Sequence, residues 1–361
     1  KGYYPQDRSS FHLSLEQRVL FRLWEQRNRT TVTPLEEMTV QPPSVEACLL
    51  HPKVLACIIA NLSEEAANAV ARSKFMPPDE SPRHMPLIPH TVDAHIHIDR
   101  LGIEFEAKLG SIDDCRIQYQ ALIANFAHPA RWNLWEQLEQ HPHLHAAFGI
   151  HPVVCGQQPG VILRLKAELE RRLSSPRCVA LGEIGLDYFR CTMPKQQLEQ
   201  RQTLRSMLKL RPGHLPVVVH CRGEGAREDC LHILKQCLGR STVIQLHCFL
   251  GGRNEVQEWQ EAFPGCFFSL SHKSLALEGS GAEEHGLAIR GLSLDRILIE
   301  SDAPYLGRTA RVMRMAPGPA SPRRDLHQIA EWVGHMKGLC PSAVLEAAGH
   351  NALRAFRLPR M

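Results

Sequence analysis

From residue 91 onward, short apolar or β-branched runs alternate with stretches of helical periodicity. The runs cover 91–98, 121–127, 143–150, 178–183, 216–220, 242–247, 266–270 and 296–300. Runs this short, rich in Val, Ile and Leu, predict buried strands, and the intervening segments, such as the one opening at Pro194, predict helices. Eight such alternations over about 270 residues predict an α/β fold of the TIM (β/α)8 barrel type. A doubly wound open sheet is the rival. No Gly-x-Gly-x-x-Gly turn follows the first run, which counts against a dinucleotide-binding version of it.

Upstream the pattern differs. Residues 14–17, Ser-Leu-Glu-Gln, have capping-box spacing and open a segment with Leu15, Val19, Leu20, Leu23 and Trp24 on one helical face; a second helix is expected from Ser63. Residues 1–75 therefore read as an N-terminal helical extension without evident chemistry. Between residues 76 and 90 lie Pro77, Pro78, Pro82, Pro86 and Pro89, which predict an extended linker. The barrel is expected over 91–361.

Composition narrows the class. A chain of 361 residues, 43% hydrophobic and 22% charged, can bury a full core. A formal charge of +4 does not announce nucleic acid, so any basic footprint must be local. The 12 cysteines form no Cys-x-x-Cys pair and read as reduced, mostly core thiols. The opening residues lack the apolar run of a secretion signal, and no stretch has the roughly 18 to 20 apolar residues of a membrane span. An intracellular protein, cytoplasmic or nuclear, is expected.

The chemistry lies at the ends of the runs. In residues 92–98, Val-Asp-Ala-His-Ile-His-Ile, strand alternation puts Asp93, His95 and His97 on one face and Val92, Ala94, Ile96 and Ile98 on the other. Two imidazoles two residues apart can share a metal, with Asp93 as a partner orienting one ring. Glu183, His220, His247 and Asp302 each end a later apolar run. Charged or imidazole groups at strand ends are costly unless paired or ligated, and in a barrel these ends converge. The six residues together predict a divalent-metal site.

The motifs Asp-Ala-His-Ile-His (93–97), Gly-Ile-His-Pro (149–152), Gly-Glu-Ile-Gly-Leu-Asp-Tyr (182–188), Val-His-Cys-Arg (219–222), Leu-His-Cys-Phe (246–249) and Glu-Ser-Asp-Ala-Pro-Tyr-Leu (300–306) occur in the order found in TatD metal-dependent nucleases. The chain resembles that family over about residues 89 to 361. The resemblance implies a barrel of the metal-dependent hydrolase type, one to three divalent ions (Mg2+, Mn2+ or Zn2+), and hydrolysis of phosphodiester bonds in a DNA or RNA partner, 3′ to 5′. It assigns His95, His97 and Asp302 to one ion, His220 and His247 to a second, and Glu183 as the bridge, and it implies Glu183 and Asp302 as the catalytic carboxylates; related amidohydrolases often bridge with a carbamylated lysine instead.

His151 and Arg222, at the rim, are expected to contact substrate. So are Arg308, Arg311 and Arg314, in a stretch after Asp302 that carries no acidic residue up to Arg324. There the usual Asn-Glu-Pro after paired arginines is replaced by Asp-Leu-His (325–327), which puts substrate positioning by this loop in doubt. Asp187 and Tyr188 are read as a helix cap and a packing ring, and Trp132, Trp135, Trp259 and Trp332 as outer-layer packing. The alternative function is a metal-dependent amide, ester or lactone hydrolase; a silent barrel used for binding is a third, disfavoured by six intact ligands.

Overall fold

The computed structural model describes residues 88–112, 115–306 and 321–359. The expected helices in residues 1–75, most of the proline-rich segment, and Arg308, Arg311 and Arg314 lie outside the described residues.

Eight strands form one all-parallel sheet in the order β1 to β8: β1 Ile88–Ile96, β2 Ile117–Phe126, β3 Leu144–Phe148, β4 Cys178–Asp187, β5 Val217–Arg222, β6 Ile244–Leu246, β7 Cys266–Leu270 and β8 Ile297–Ile299. Helical segments separate each pair and complete a (β/α)8 barrel. They are short after β1 and β2 and longer further on, as in Pro194–Leu210, Ala226–Cys237 and Arg253–Ala262. All eight expected strands are present. Strand pairing begins earlier than expected at β1, because the Ile88 amide donates to Arg116 O at 2.8 Å and carries the ladder across Pro89, inside the expected linker. No described helix is long and apolar enough to cross a membrane.

Alternation along the strands divides the core. Leu122, Leu181, Val217 and Val219 join the layer shared with the helices, where Leu204, Ile233, Trp259 and Ile329 pack. Their neighbours Ile123, Ala180 and Val218 join an inner cluster with Ala121, Ala147, Phe267 and Leu298, plugged by Leu353 and Phe356 from the last helix, Pro341–Ala355, and its end. Trp132, Trp135 and Trp259 are buried, and the described cysteines are free thiols, five of them buried.

The alternation expected for β1 does not survive intact. Val92 and Ala94 fall in the inner cluster, whereas Ile96 and Ile98 fall in the outer one. A register shift against β2 between Asp93 and Ile96 accounts for the switch, as one extra residue reverses the facing of the positions after it.

The barrel closes where β8 and β1 meet at their carboxyl ends. Asp302 N donates to His95 O and His97 N to Ala303 O, both at 2.9 Å, and Asp93 Oδ1 accepts from Ser301 N at 3.0 Å and His95 N at 3.3 Å. Asp93 is thus a backbone clamp at this seam, not the ring-orienting partner expected, because its carboxylate meets main-chain amides before it can reach an imidazole.

Between β4 and β5 the backbones approach closely at Gly185, whose φ is +145° and where an added Cβ would lie 1.9 Å from His220 O. Only glycine fits there. Gly185→Ala is expected to cost at least about 2 kcal/mol of stability and to weaken metal binding, since β5 must retreat with His220; thermal unfolding with and without metal reads both, and wild-type values would show that the approach is dispensable.

Candidate metal centre

His95, at the end of β1, is fully buried, and His97 caps the short helix after it. Their Nε2 atoms lie 3.2 Å apart. Glu183 Oε2, from β4, is 3.6 Å from each, and Asp302 Oδ1, across the seam, is 3.7 Å from His95 Nε2 and 3.3 Å from His97 Nε2. Donors about 2.0–2.2 Å from a tetrahedral ion stand roughly 3.3–3.6 Å from one another. The four atoms therefore have the spacing of a ligand set. Asp302 Oδ1 is buried with no hydrogen-bond partner, an arrangement that is costly unless a cation satisfies it. Asp302 itself has a left-handed φ of +49°, which a non-glycine residue adopts at a cost that the seam hydrogen bonds must hold.

The other oxygen of Glu183 faces a second group. Oε1 lies 2.7 Å from His220 Nδ1, 3.5 Å from His151 Nε2 and 3.7 Å from His247 Nε2. Asp302 Oδ2 is 4.0 Å from His247 Nε2, so this carboxylate also has one oxygen toward each group. The rings of His95 and His247 stack with centroids 3.8 Å apart.

On His220, His247 and His97 the ring nitrogen turned away from Glu183 faces a further carboxylate. Asp187 Oδ2 lies 3.2 Å from His220 Nε2 and Glu300 Oε1 lies 2.9 Å from His247 Nδ1, an ion-pair distance without hydrogen-bond alignment; Asp99 Oδ1 lies 3.6 Å from His97 Nδ1. Such contacts fix ring orientation and raise donor strength. Glu300 is anchored in turn by Cys248 N, Ser269 Oγ and Gln245 Nε2.

Burial and neighbouring charge act against each other here. Burial alone would raise Glu183, but His151, His247 and His220 outweigh it and hold the carboxylate well below its usual range. Burial lowers His95, with His247 adding to the effect, and lowers His151 to about 4. For His97, burial is overcome by Asp302 and Asp99, which hold it well above its ordinary value; for His247, Glu300 and Glu183 overcome burial and raise it to about 9. Glu183 thus stays charged among these rings, and His97 and His247 hold their protons.

All six expected ligands converge, and His151 stands among them. Its Nδ1 accepts from Val153 N, capping Pro152–Gln157, so its proton resides on Nε2 toward Glu183. Arg222 lines the cavity above, with its guanidinium 4.3 Å from the Phe189 ring centre. Asp187 does not cap the following helix, whose N-cap is Met193; it accepts from Arg190 N in the loop before that helix and also holds His220. That second role, and those of Asp99 and Glu300, escape a reading of the sequence. Their only signal along the chain is a carboxylate within a few residues of each strand-end ligand.

An eight-stranded parallel barrel with imidazoles and carboxylates gathered at the carboxyl ends of its strands defines a metal-dependent hydrolase. Residues 92–357 match the TatD related DNase family, and the chain belongs to it. The human 3′-5′ RNA nuclease TATDN2 is 30% identical over 283 residues, which are 74% of this chain but 35% of that protein, so the chain spans about a third of that relative's length. The 3′-5′ ssDNA/RNA exonuclease TatD of Erwinia billingiae is 33% identical over 221 residues, 58% of this chain and 77% of that one. Among solved structures, YJJV, a TatD homolog from Escherichia coli K12, is similar with a TM-score of 0.60 at 23% identity, covering 76% of this chain and all of that one, which supports the fold.

Because His97 and His247 hold protons in the metal-free protein, a divalent ion must displace them. Metal binding at pH 7 should release protons, and apparent affinity should rise with pH up to about 9, where His247 loses its proton unaided. Calorimetry in two buffers of different ionisation enthalpy measures the release; none at pH 7 would remove these rings as ligands.

Proposed function

We propose that this enzyme is a divalent-metal-dependent nuclease that hydrolyses phosphodiester bonds in DNA or RNA and shortens strands from the 3′ end. The observation that carries this reading is Glu183, with Oε2 among His95, His97 and Asp302 and Oε1 among His220, His247 and His151. His95, His97 and Asp302 would hold one ion and His220 and His247 a second, with Glu183 between them. Bound there, divalent ions would lower the pKa of a shared water toward neutrality and offset charge on the phosphoryl oxygens. Four imidazoles favour Zn2+ or Mn2+ over Mg2+.

The protein groups supply the rest. Asp302, with Oδ1 toward His95 and His97, would take a proton from water at Oδ2, which faces His247 Nε2 at 4.0 Å. His151, uncharged at neutral pH, offers Nε2–H to a phosphate oxygen. Above them is a cavity of about 720 Å3 with Arg100, Arg190, Arg222, Arg227 and Lys273 around an acidic floor, a charge pattern suited to a phosphodiester backbone. The activities for which the relatives are named, RNA nuclease and ssDNA/RNA exonuclease, favour nucleic acid over a small ester or lactone.

Glu183→Gln should reduce cleavage of 5′-labelled single strands by about a hundredfold or more, as expected when a group central to charge stabilisation is lost. Product ladders shortening from the 3′ end report direction. More than about a tenth of wild-type rate with metal bound, or turnover of esters and lactones but no oligonucleotide, would overturn the reading. Arg308, Arg311 and Arg314 are proposed to grip the backbone; replacing all three with Ala should raise KM for oligonucleotides and flatten its log–log salt dependence by roughly 0.7 per lost contact. An unchanged slope would leave that loop out of binding.

A further inference from the structure

Two aromatic rings stand exposed beside the centre. Phe189 is 63% exposed, immediately beyond β4, and Tyr305 is 47% exposed, three residues after Asp302, with its ring edge-on to His97 at 4.9 Å. A large exposed apolar ring contributes little to folding, so its position calls for another explanation. The two adjacent rings after β4 are treated differently. Tyr188 turns inward, its hydroxyl 2.6 Å from Asp229 Oδ2, while Phe189 turns out.

The outward ring is held by the same strands that carry the metal donors. Asp187 pairs with Arg222 across β4 and β5, and Tyr188 N donates to Arg222 O at 2.8 Å. Phe189 N lies so close to Gly223, whose φ is +101°, that an added Cβ there would come within 2.5 Å of it. Arg222 lines the cavity and sets its guanidinium carbon 4.3 Å from the Phe189 ring centre, yet Phe189 remains mostly exposed. A planar cation braced on an aromatic ring, at the rim of a phosphate-sized site, has the composition of a single-strand stacking platform.

We infer that Phe189, braced by Arg222, stacks against the base of a nucleotide flanking the scissile phosphate. The inference rests on the nuclease reading and adds the element that recognises an unpaired base. Arg222 then serves the backbone and the platform together. A paired end presents its base already stacked in the duplex, so strands with unpaired ends are the preferred substrates.

The test compares two 5′-labelled single strands of one sequence, one complete and one with abasic tetrahydrofuran residues at its 3′ end, using metal-loaded wild-type, Phe189→Leu and Phe189→Trp full-length proteins. Wild type should favour the complete strand by about tenfold in kcat/KM, mainly through KM, the effect of losing one stacked base. Phe189→Leu should bring the ratio near one, and Phe189→Trp should retain it. A ring with a merely structural role would depress both substrates alike and leave the ratio unaltered, which overturns the platform while the nuclease reading stands. Cleavage of neither strand by wild type overturns both.

Discussion

Closure of the barrel between β8 and β1 is the constraint on which the site depends. The two hydrogen bonds of the seam, Asp302 N to His95 O and His97 N to Ala303 O, run between ligand-bearing segments themselves. Joining the sheet and assembling the donors are therefore one event. The clamp from Asp93 to Ser301 N, fully buried, reinforces it, and burial pushes that carboxyl up to about 7 despite its amide partners. Its burial is offset by the two main-chain donors it satisfies at the seam.

The second constraint is electrostatic. Glu183, Glu300 and Asp302 are all at least nine-tenths buried, around histidines that are nearly as enclosed. Buried charge of this density stands only when every carboxylate has donors or cations to face. Glu183 meets it by dividing its two oxygens between two groups of imidazoles, and Glu300 by binding Cys248 N, Ser269 and Gln245. Ligand positions are thus held by a rigid inner framework, whereas Phe189 and Tyr305 stand at its exposed margin. In the proposed reading, the stiff floor serves chemistry and the rim recognition.

Much of this was legible along the chain. The eight strands were readable because each is a short apolar run bounded by polar residues, and the donors because a histidine or acid at the end of such a run has no apolar explanation. The family resemblance then implied a bridging role for Glu183, which remains a proposal. Less legible was everything that depends on a second element. The switch of facing within β1 arises from its register against β2, which local alternation does not encode. Asp187 looked like a helix cap; it instead accepts from Arg190 N in the loop, and its second oxygen reaches His220 only because β4 and β5 lie side by side.

By itself, then, the sequence determined the fold class, the order of strands and which imidazoles and carboxylates end them, since these derive from local hydrophobic period and from the cost of burying polar groups. Tertiary structure decided which nitrogen of each ring faces the centre, which carboxylate orients it, and that Asp93 clamps backbone in place of a ring. Those outcomes turn on separations of about 3 to 4 Å between residues far apart in the chain, and such distances exist only once the barrel has closed.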